Sequence, residues 1–224
     1  MIPQPSKKDA RPAASPGRPK DLAKRAAILD AAERMFLQHG FEGVSMDQIA
    51  TAAGVSKLTV YSHFGDKDAL FTEAAKAWCE QQMSGSVFEP APHQLVGERL
   101  MDIARAYFAM VCAPEAVAGH RLLCSPQMVG KQLARLFWEA GPQRVQDEFA
   151  RFLERRIAAG DLVIDDVHRA SGQFFALVKG DLHSRLVFDC DEAGQPGFGE
   201  QADAHLQAAV AMFLRAYGRG NPAP

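Results

Sequence analysis

Lys57, Thr59, Tyr61 and His63 alternate through the run Lys57-Leu58-Thr59-Val60-Tyr61-Ser62-His63-Phe64, and each ends in a hydrogen-bond donor. A lysine can donate to the acceptor edge of guanine. Thr59, Tyr61, His63 and, just beyond, Lys67 suit phosphate oxygens, which set register on a duplex without reading its sequence. The chemistry open to such a set is recognition of double-stranded DNA, provided that the donors sit on one short helix held clear of the rest of the chain.

The flanking residues supply that helix. Ser45 is an N-cap, its hydroxyl able to accept from an orphan backbone N–H of a helix running to Ala53. Gly54 ends this helix by reaching a left-handed backbone that a Cβ would oppose. After the turn Gly54-Val55-Ser56, Ser56 caps a second helix from Lys57 to Phe64, whose Val60 and Phe64 point back toward Ile49 and Ala50. Ala50 is small enough for the two helices to cross closely. Two short helices cannot bury a core alone. A third is predicted from Lys24 to His39, where Ile28, Ala32, Met35 and Phe36 share one face. Gly40 closes it and Phe41 folds under it. The three form a helix-turn-helix whose second short helix enters a major groove.

These residues resemble the N-terminal domain of the TetR family of bacterial transcriptional regulators, over about Asp21 to Phe71. The resemblance rests on Gly40-Phe41, Ser45, Ala53-Gly54-Val55-Ser56, Thr59-Val60-Tyr61-Ser62-His63-Phe64 and Lys67-Asp68-Ala69-Leu70. It implies that Ser45, Ser56, Lys57, Leu58, Thr59, Tyr61, His63 and Lys67 face DNA. One position departs: many members carry glycine where Leu58 stands. Leu58 bars that close backbone approach and can instead touch a thymine methyl, so the base read there does not carry over.

Charge distribution agrees with this placement. The 224 residues carry a net charge of only −2, but up to Gly65 there are nine Lys/Arg against six Asp/Glu, and beyond it 16 against 21. Steering toward DNA needs a local positive field, not a global one. Residues 1–20, rich in proline, lysine and arginine, read as a disordered basic arm, with Arg18 and Lys20 placed to follow a phosphate backbone or enter a minor groove. No signal-peptide core and no membrane-length apolar run is present, so a cytoplasmic protein with no membrane partner is expected.

Beyond residue 66 the pattern is helical with proline and glycine punctuation, which makes the fold class all-α: residues 21–66 a helix-turn-helix domain, 67–218 a helical ligand-binding and dimerisation domain, 219–224 a flexible tail. Helices are predicted over Asp66–Met83, Leu95–Cys112, from Pro114, from Pro126, over Pro142–Ala159, Asp166–Phe188 and Glu200–Tyr217, with a linker at Pro90 and Pro92. The last two carry long apolar faces, Val167, Ala170, Phe174, Val178, Leu182 and Leu186 against Leu206, Val210, Phe213, Leu214 and Tyr217. That much apolar surface calls for a four-helix bundle shared with a second copy, and hence a homodimer reading a palindromic operator with heads about 34 Å apart.

The middle helices offer Met101, Phe108, Met110, Met128, Phe137, Trp138, Phe149, Phe174 and Phe175 as pocket lining, with His120, Arg121 and His183 as polar anchors for a small-molecule effector. The segment from about Gly119 to Phe188 is similar to the C-terminal domain of an AefR-like subgroup linked with efflux control. Cys79, Cys112, Cys124 and Cys190 show no Cys-x-x-Cys spacing, and in a protein expected to be cytosolic no structural disulfide is expected. His120 and Cys124, at i and i+4, leave a metal- or redox-sensing alternative open. Phosphate-loop, nucleophile-elbow and His-Glu-x-x-His motifs are absent, and Asp181 and His183 point to different helix faces, Asp181 pairing instead with Arg185. No catalytic residue, metal or cofactor is therefore assigned. The expectation is a ligand-responsive homodimeric repressor of nearby efflux or stress genes, with an architectural DNA binder as the other alternative.

Overall fold

The computed structural model describes residues 22–89, 94–124 and 131–219. The arm at 1–20, the linker at Pro90 and Pro92, the helix start at Pro126 and residue Met128 lie outside them. Among the described residues ten α-helices follow one another: α1 Leu22–His39, α2 Met46–Ala52, α3 Lys57–Phe64, α4 Lys67–Gln82, α5 Val96–Val111, α6 Pro114–Leu123, α7 Lys131–Ala140, α8 Pro142–Ala158, α9 Val167–Val187 and α10 Phe198–Tyr217, with a 3₁₀ turn at Gly85–Phe88. Among the described residues the only β-type pairing is one isolated bridge, Leu162 to Gly218.

Local chemistry accounts for the helix ends. Ser45 and Gln48 form a reciprocal capping box, the Gln48 amide donating to Ser45 Oγ at 3.3 Å and the Ser45 amide to Gln48 Oε1 at 2.8 Å, which satisfies two orphan donors of α2. At its other end Gly54 has φ +65°, and the amides of Val55 and Gly54 donate to Ala50 O and Thr51 O, a Schellman closure. Asp66 caps α4 and Asp166 caps α9 through their carboxylates. Pro114 and Pro142 open α6 and α8, where a missing N–H costs nothing.

Two hydrophobic clusters result. The first gathers Ile28, Ala32, Phe36, Ile49, Ala50, Val60 and Phe64 from α1 to α3 together with Leu70 and Ala74 of α4. So α4 spans the boundary expected at residue 66: its first turns complete the reading head, and its second half, with Trp78, packs on the other cluster. That larger core is centred on Phe149, whose ring stacks on Phe174 at 4.5 Å between centroids and lies 5.1 Å from Phe175.

Three expectations for this half are corrected. Asp166–Phe188 is not one continuous helix, because Gly180 has φ +51° and ψ −156°. The break is filled from α10 by His205, whose Nε2 donates to Val178 O at 3.0 Å. Arg219 is not loose tail: its amide donates to Asp161 O at 3.0 Å and its guanidinium to Gly160 O. Arg185 pairs with Asp191 at 2.8 Å rather than with Asp181, since the chain beyond α9 folds back over it.

Candidate nucleic-acid interface and effector cavity

Helix α3 presents its donors unevenly. Lys57, Leu58 and Tyr61 are exposed, Leu58 at 78%. Thr59 and His63 are half-buried, contrary to an evenly solvated face: the Thr59 hydroxyl lies 2.8 Å from Ser56 Oγ, and His63 Nδ1 is buried without a hydrogen-bond partner. Ser45, Tyr61 and Lys67, though spread over 23 residues of sequence, line one open cleft with Gln48 and Asp66. Lys67 Nζ sits 4.2 Å above the Phe41 ring, a cation–π contact that aims the ammonium beside that cleft. The face therefore divides into an exposed part, Lys57 and Leu58, and a cleft in which the donors of Ser45, Tyr61 and Lys67 meet the carboxylates of Glu42 and Asp66.

Asp47 was not foreseen in this surface. Its carboxylate accepts from Lys57 Nζ at 2.9 Å, joining α2 to α3. This hydrogen bond, together with the charge of Asp47, raises the Lys57 pKa above its ordinary value. Both side chains are exposed, so the pair contributes little to stability. It does hold the Lys57 ammonium beside α2. The spacing of ten residues between the partners gives no helical signal of their meeting.

Between the two clusters lies a cavity of about 400 Å³. Of the residues singled out for a ligand, His120, Phe137, Trp138 and His183 line it, as do Met110 and Phe175. Five others are placed elsewhere. Phe174 is fully buried in the stack of Phe149 and Phe213, Phe108 packs on Phe198, and Met101 packs against the larger core. Arg121 turns outward to donate to the carbonyls of Leu186 and Val187 and to Asp189, closing the C-terminal end of α9. Phe149 likewise belongs to the core and not to the wall.

Sequence reasoning missed much of the wall: Trp78 of α4, Tyr107 of α5, Glu115 of α6, Lys179 of α9 and Glu33 of α1. A signal for part of it existed. Gly172, Phe175, Ala176, Lys179 and His183 recur at helical spacing and make a stripe on α9 with a lysine in it. Both tryptophans of the chain, Trp78 and Trp138, face this cavity. The His120 and His183 rings meet edge to face at 5.3 Å. Burial, the His120 charge and Lys179 together bring the His183 pKa down to about 4, and burial with Lys179 also lowers His120. Both rings are therefore neutral at pH 7.

Two of the four thiols, Cys79 and Cys112, do not have the character of redox sensors. Burial pushes Cys79 up to about 11 and Cys112 up to about 12, away from the thiolate that redox chemistry uses. Among the described residues no three His, Cys, Asp or Glu side chains are grouped to hold a metal ion, the His120–Cys124 pair included. Among them, too, no helix is long and apolar enough to cross a membrane.

Comparison with known proteins agrees with both halves. Residues 28–74 match the family profile for bacterial regulatory proteins of the tetR family, and residues 98–219 match that for the C-terminal domain of AefR-like transcriptional repressors. The transcriptional repressor AcnR of Corynebacterium glutamicum is 28% identical over 176 residues, 78% of this chain and 88% of that protein. With AcnR of Corynebacterium efficiens the match is confined to 57 residues at 39% identity, 25% of this chain and 30% of that protein. Among solved structures, the flavonoid-responsive regulator FrrA is 34% identical with a TM-score of 0.70, covering 89% of this chain and 100% of that one. A TetR-family regulator of Mesorhizobium loti is 28% identical with a TM-score of 0.72, covering 90% and 99%. The capped helix-turn-helix, the helical second half and these matches converge: the chain belongs to the TetR family of bacterial transcriptional regulators and is a DNA-binding, ligand-responsive repressor, not an enzyme.

Proposed function

We propose that two copies of the chain hold a palindromic operator, and that an aromatic effector entering the cavity releases it. One observation carries this reading. The cavity wall is built from Phe36 and Leu37 of α1 and Phe71 and Ala74 of α4, which belong to the reading head, as well as from α5 to α9. An occupant thus touches both halves, and any change it makes in the tilt of α4 moves α3. To turn a mostly DNA-competent population into a mostly incompetent one, the effector must prefer the second state by about 10⁴. The aromatic lining of Trp78, Tyr107, Phe137, Trp138 and Phe175 supports a flat ring system, as does similarity to a regulator named for its response to flavonoids.

In the head, Ser45, Tyr61 and Lys67 set register through phosphate, and Lys57 and Leu58 read the groove. The case for the dimer changes on folding. The apolar stripes of α9 and α10 that had called for a partner are consumed within one chain, Phe174, Val178, Leu182, Leu206, Val210 and Phe213 all being buried. What supports a dimer is the opposite face of α10, where Ala208, Ala211 and Ala216 are exposed beside Met212, small residues that permit close helix approach.

The decisive experiment is sequencing of the DNA fragments retained by the purified protein, followed by release of the enriched site in a screen of aromatic compounds. A symmetric site beside efflux or stress genes, released by a compound that quenches tryptophan fluorescence, is the expected result. Retention of DNA without sequence preference, and no compound that shifts melting, would favour an architectural binder.

A further inference from the structure

The polar groups of the cavity are not scattered. Lys179 and His183 lie on α9 on either side of the break at Gly180, the His120 ring of α6 meets that of His183, and all three residues line the cavity. His183 is only 6% exposed, yet its ring lies on the cavity wall. A polar ring that is shielded from the outer surface yet opens on a cavity offers its nitrogens to whatever enters there. The wall also holds two carboxylates, Glu33 of α1 and Glu115 of α6, and burial, with smaller contributions from the charges of Asp30 and Glu115, raises the Glu33 pKa. Glu115 is five residues before His120, about 7.5 Å along α6 at 1.5 Å per residue. The cavity is therefore polarised, with a cation and two neutral imidazoles at one end and carboxylates near the start of α6.

We infer that Lys179, His183 and His120 anchor an acidic oxygen, a carboxylate or a phenol, on the aromatic effector. This rests on the reading of the cavity as the effector site and adds which functional group the effector must carry. A single ammonium with no competing carboxylate bonded to it favours an anion. A neutral imidazole has one donor and one acceptor nitrogen, so His183 and His120 can each accept from a phenol or donate to a carboxylate. Glu33 and Glu115 repel the acidic group from the other end, which fixes the orientation of the ligand. The ring system then lies between Trp78 and Trp138, against Tyr107 and Phe137.

The test uses four compounds on one skeleton: biphenyl-4-carboxylate, 4-phenylphenol, 4-methoxybiphenyl and biphenyl-4-ylmethylammonium. Affinity is measured by calorimetry on the full-length protein and location by quenching of its two tryptophans. The carboxylate or the phenol should bind about tenfold or more tightly than the neutral ether, as expected for a charge-assisted contact, and the ammonium compound least. Preference for the carboxylate alone would identify Lys179 as the main contact, whereas phenolate absorbance on binding of 4-phenylphenol would identify a proton passed from the phenol. Lys179→Met should remove the acid preference while leaving the ether within about twofold, the ether serving as the control that the cavity is intact. His183→Gln, which keeps a donor and an acceptor, should retain more of the phenol affinity than His183→Leu. Equal binding of acid and ether, tighter binding of the ammonium compound, or an acid preference that survives Lys179→Met would overturn the anchor and leave the cavity reading standing. Binding by none of the four would overturn the cavity reading, and the anchor with it.

Discussion

Gly54 and Gly180 both hold a positive φ, +65° and +51°, but they sit in different kinds of structure. A Cβ on Gly54 would meet no atom within 4 Å, and the turn it makes is closed by bonds to Ala50 and Thr51, residues a few positions back. A Cβ on Gly180 would lie 2.3 Å from His205 Cε1, on a helix 25 residues further along the chain. The reading head is thus shaped by sequence neighbours, through caps and a turn. The effector half is shaped by packing between helices, and its backbone bends where another helix requires it.

Alanine at the two glycines separates these cases. Gly180→Ala should cost about 1–3 kcal/mol for the backbone, which is close to glycine-only at this φ and ψ, and about 1–3 kcal/mol more for overpacking against His205. Gly54→Ala should lose only the backbone part, about 1–2 kcal/mol. Urea unfolding of both variants measures the difference. Equal losses would mean that His205 yields freely, and the contrast between a local and a packed glycine would collapse.

Acid should find the effector half first. His183 takes up its proton near pH 4 in the folded chain, held there by burial, by His120 and by Lys179, but near 6.5 when unfolded. Between these values the unfolded state binds more protons, so this contribution is fully present above about pH 6.5 and is lost as pH falls through about 4. The 2.5-unit gap corresponds to about 3 kcal/mol. The raised cation of the reading head, Lys57, titrates far above this window. Stability curves of wild type and His183→Gln should converge as pH drops from 7 to 4.5. Parallel curves would show that His183 is not the group responsible.

The same division decides what could be read from the chain before it folded. Ser45, Gly54, Ser56, Asp66, Pro114 and Pro142 declare helix ends through interactions within a few residues, so the order of helices and the helix-turn-helix were legible. Asp47 against Lys57, Lys179 against His120, and His205 against Gly180 join elements remote in sequence, and no periodicity announces them. Phe174 and Phe108 illustrate the cost of that blindness: an aromatic at helical spacing looks the same whether it walls a cavity or fills the core. The apolar stripes of α9 and α10 are equally silent, since periodicity does not say which chain will cover them.

On DNA, the locally built face should respond one residue at a time. Lys57→Ala, measured by fluorescence anisotropy on the isolated operator, should weaken binding about tenfold to a hundredfold and relax preference at one base pair, as for loss of a base contact worth about 1–3 kcal/mol. Lys67→Ala should weaken all duplexes alike and lower the salt slope by about one unit. If both variants behave alike, the division of the surface into groove-reading Lys57 and phosphate-holding Lys67 is wrong. Asp47→Asn gives a further check: by freeing Lys57 and removing a negative charge, it should raise affinity for nonspecific DNA more than for the operator.

Leu58 is the smallest effect and the sharpest on the comparison, because it stands at a position where this head departs from the family pattern. At 78% exposure it touches little of the protein, so Leu58→Ala should leave stability within about 0.5 kcal/mol. Its role is visible only on DNA. Apolar contact with one thymine methyl removes a small area from water, at about 25 cal/mol per Å², which sets a scale below about 1 kcal/mol, or roughly fivefold. Replacing that thymine by uracil deletes the methyl and nothing else. Wild type should lose this factor on the uracil site, and Leu58→Ala should bind both sites equally. If Leu58→Ala still prefers thymine, the methyl is read by another residue. If wild type shows no preference at any position of the site, Leu58 fills space beside the groove without reading it, and the head is more generic than its exposed leucine suggests.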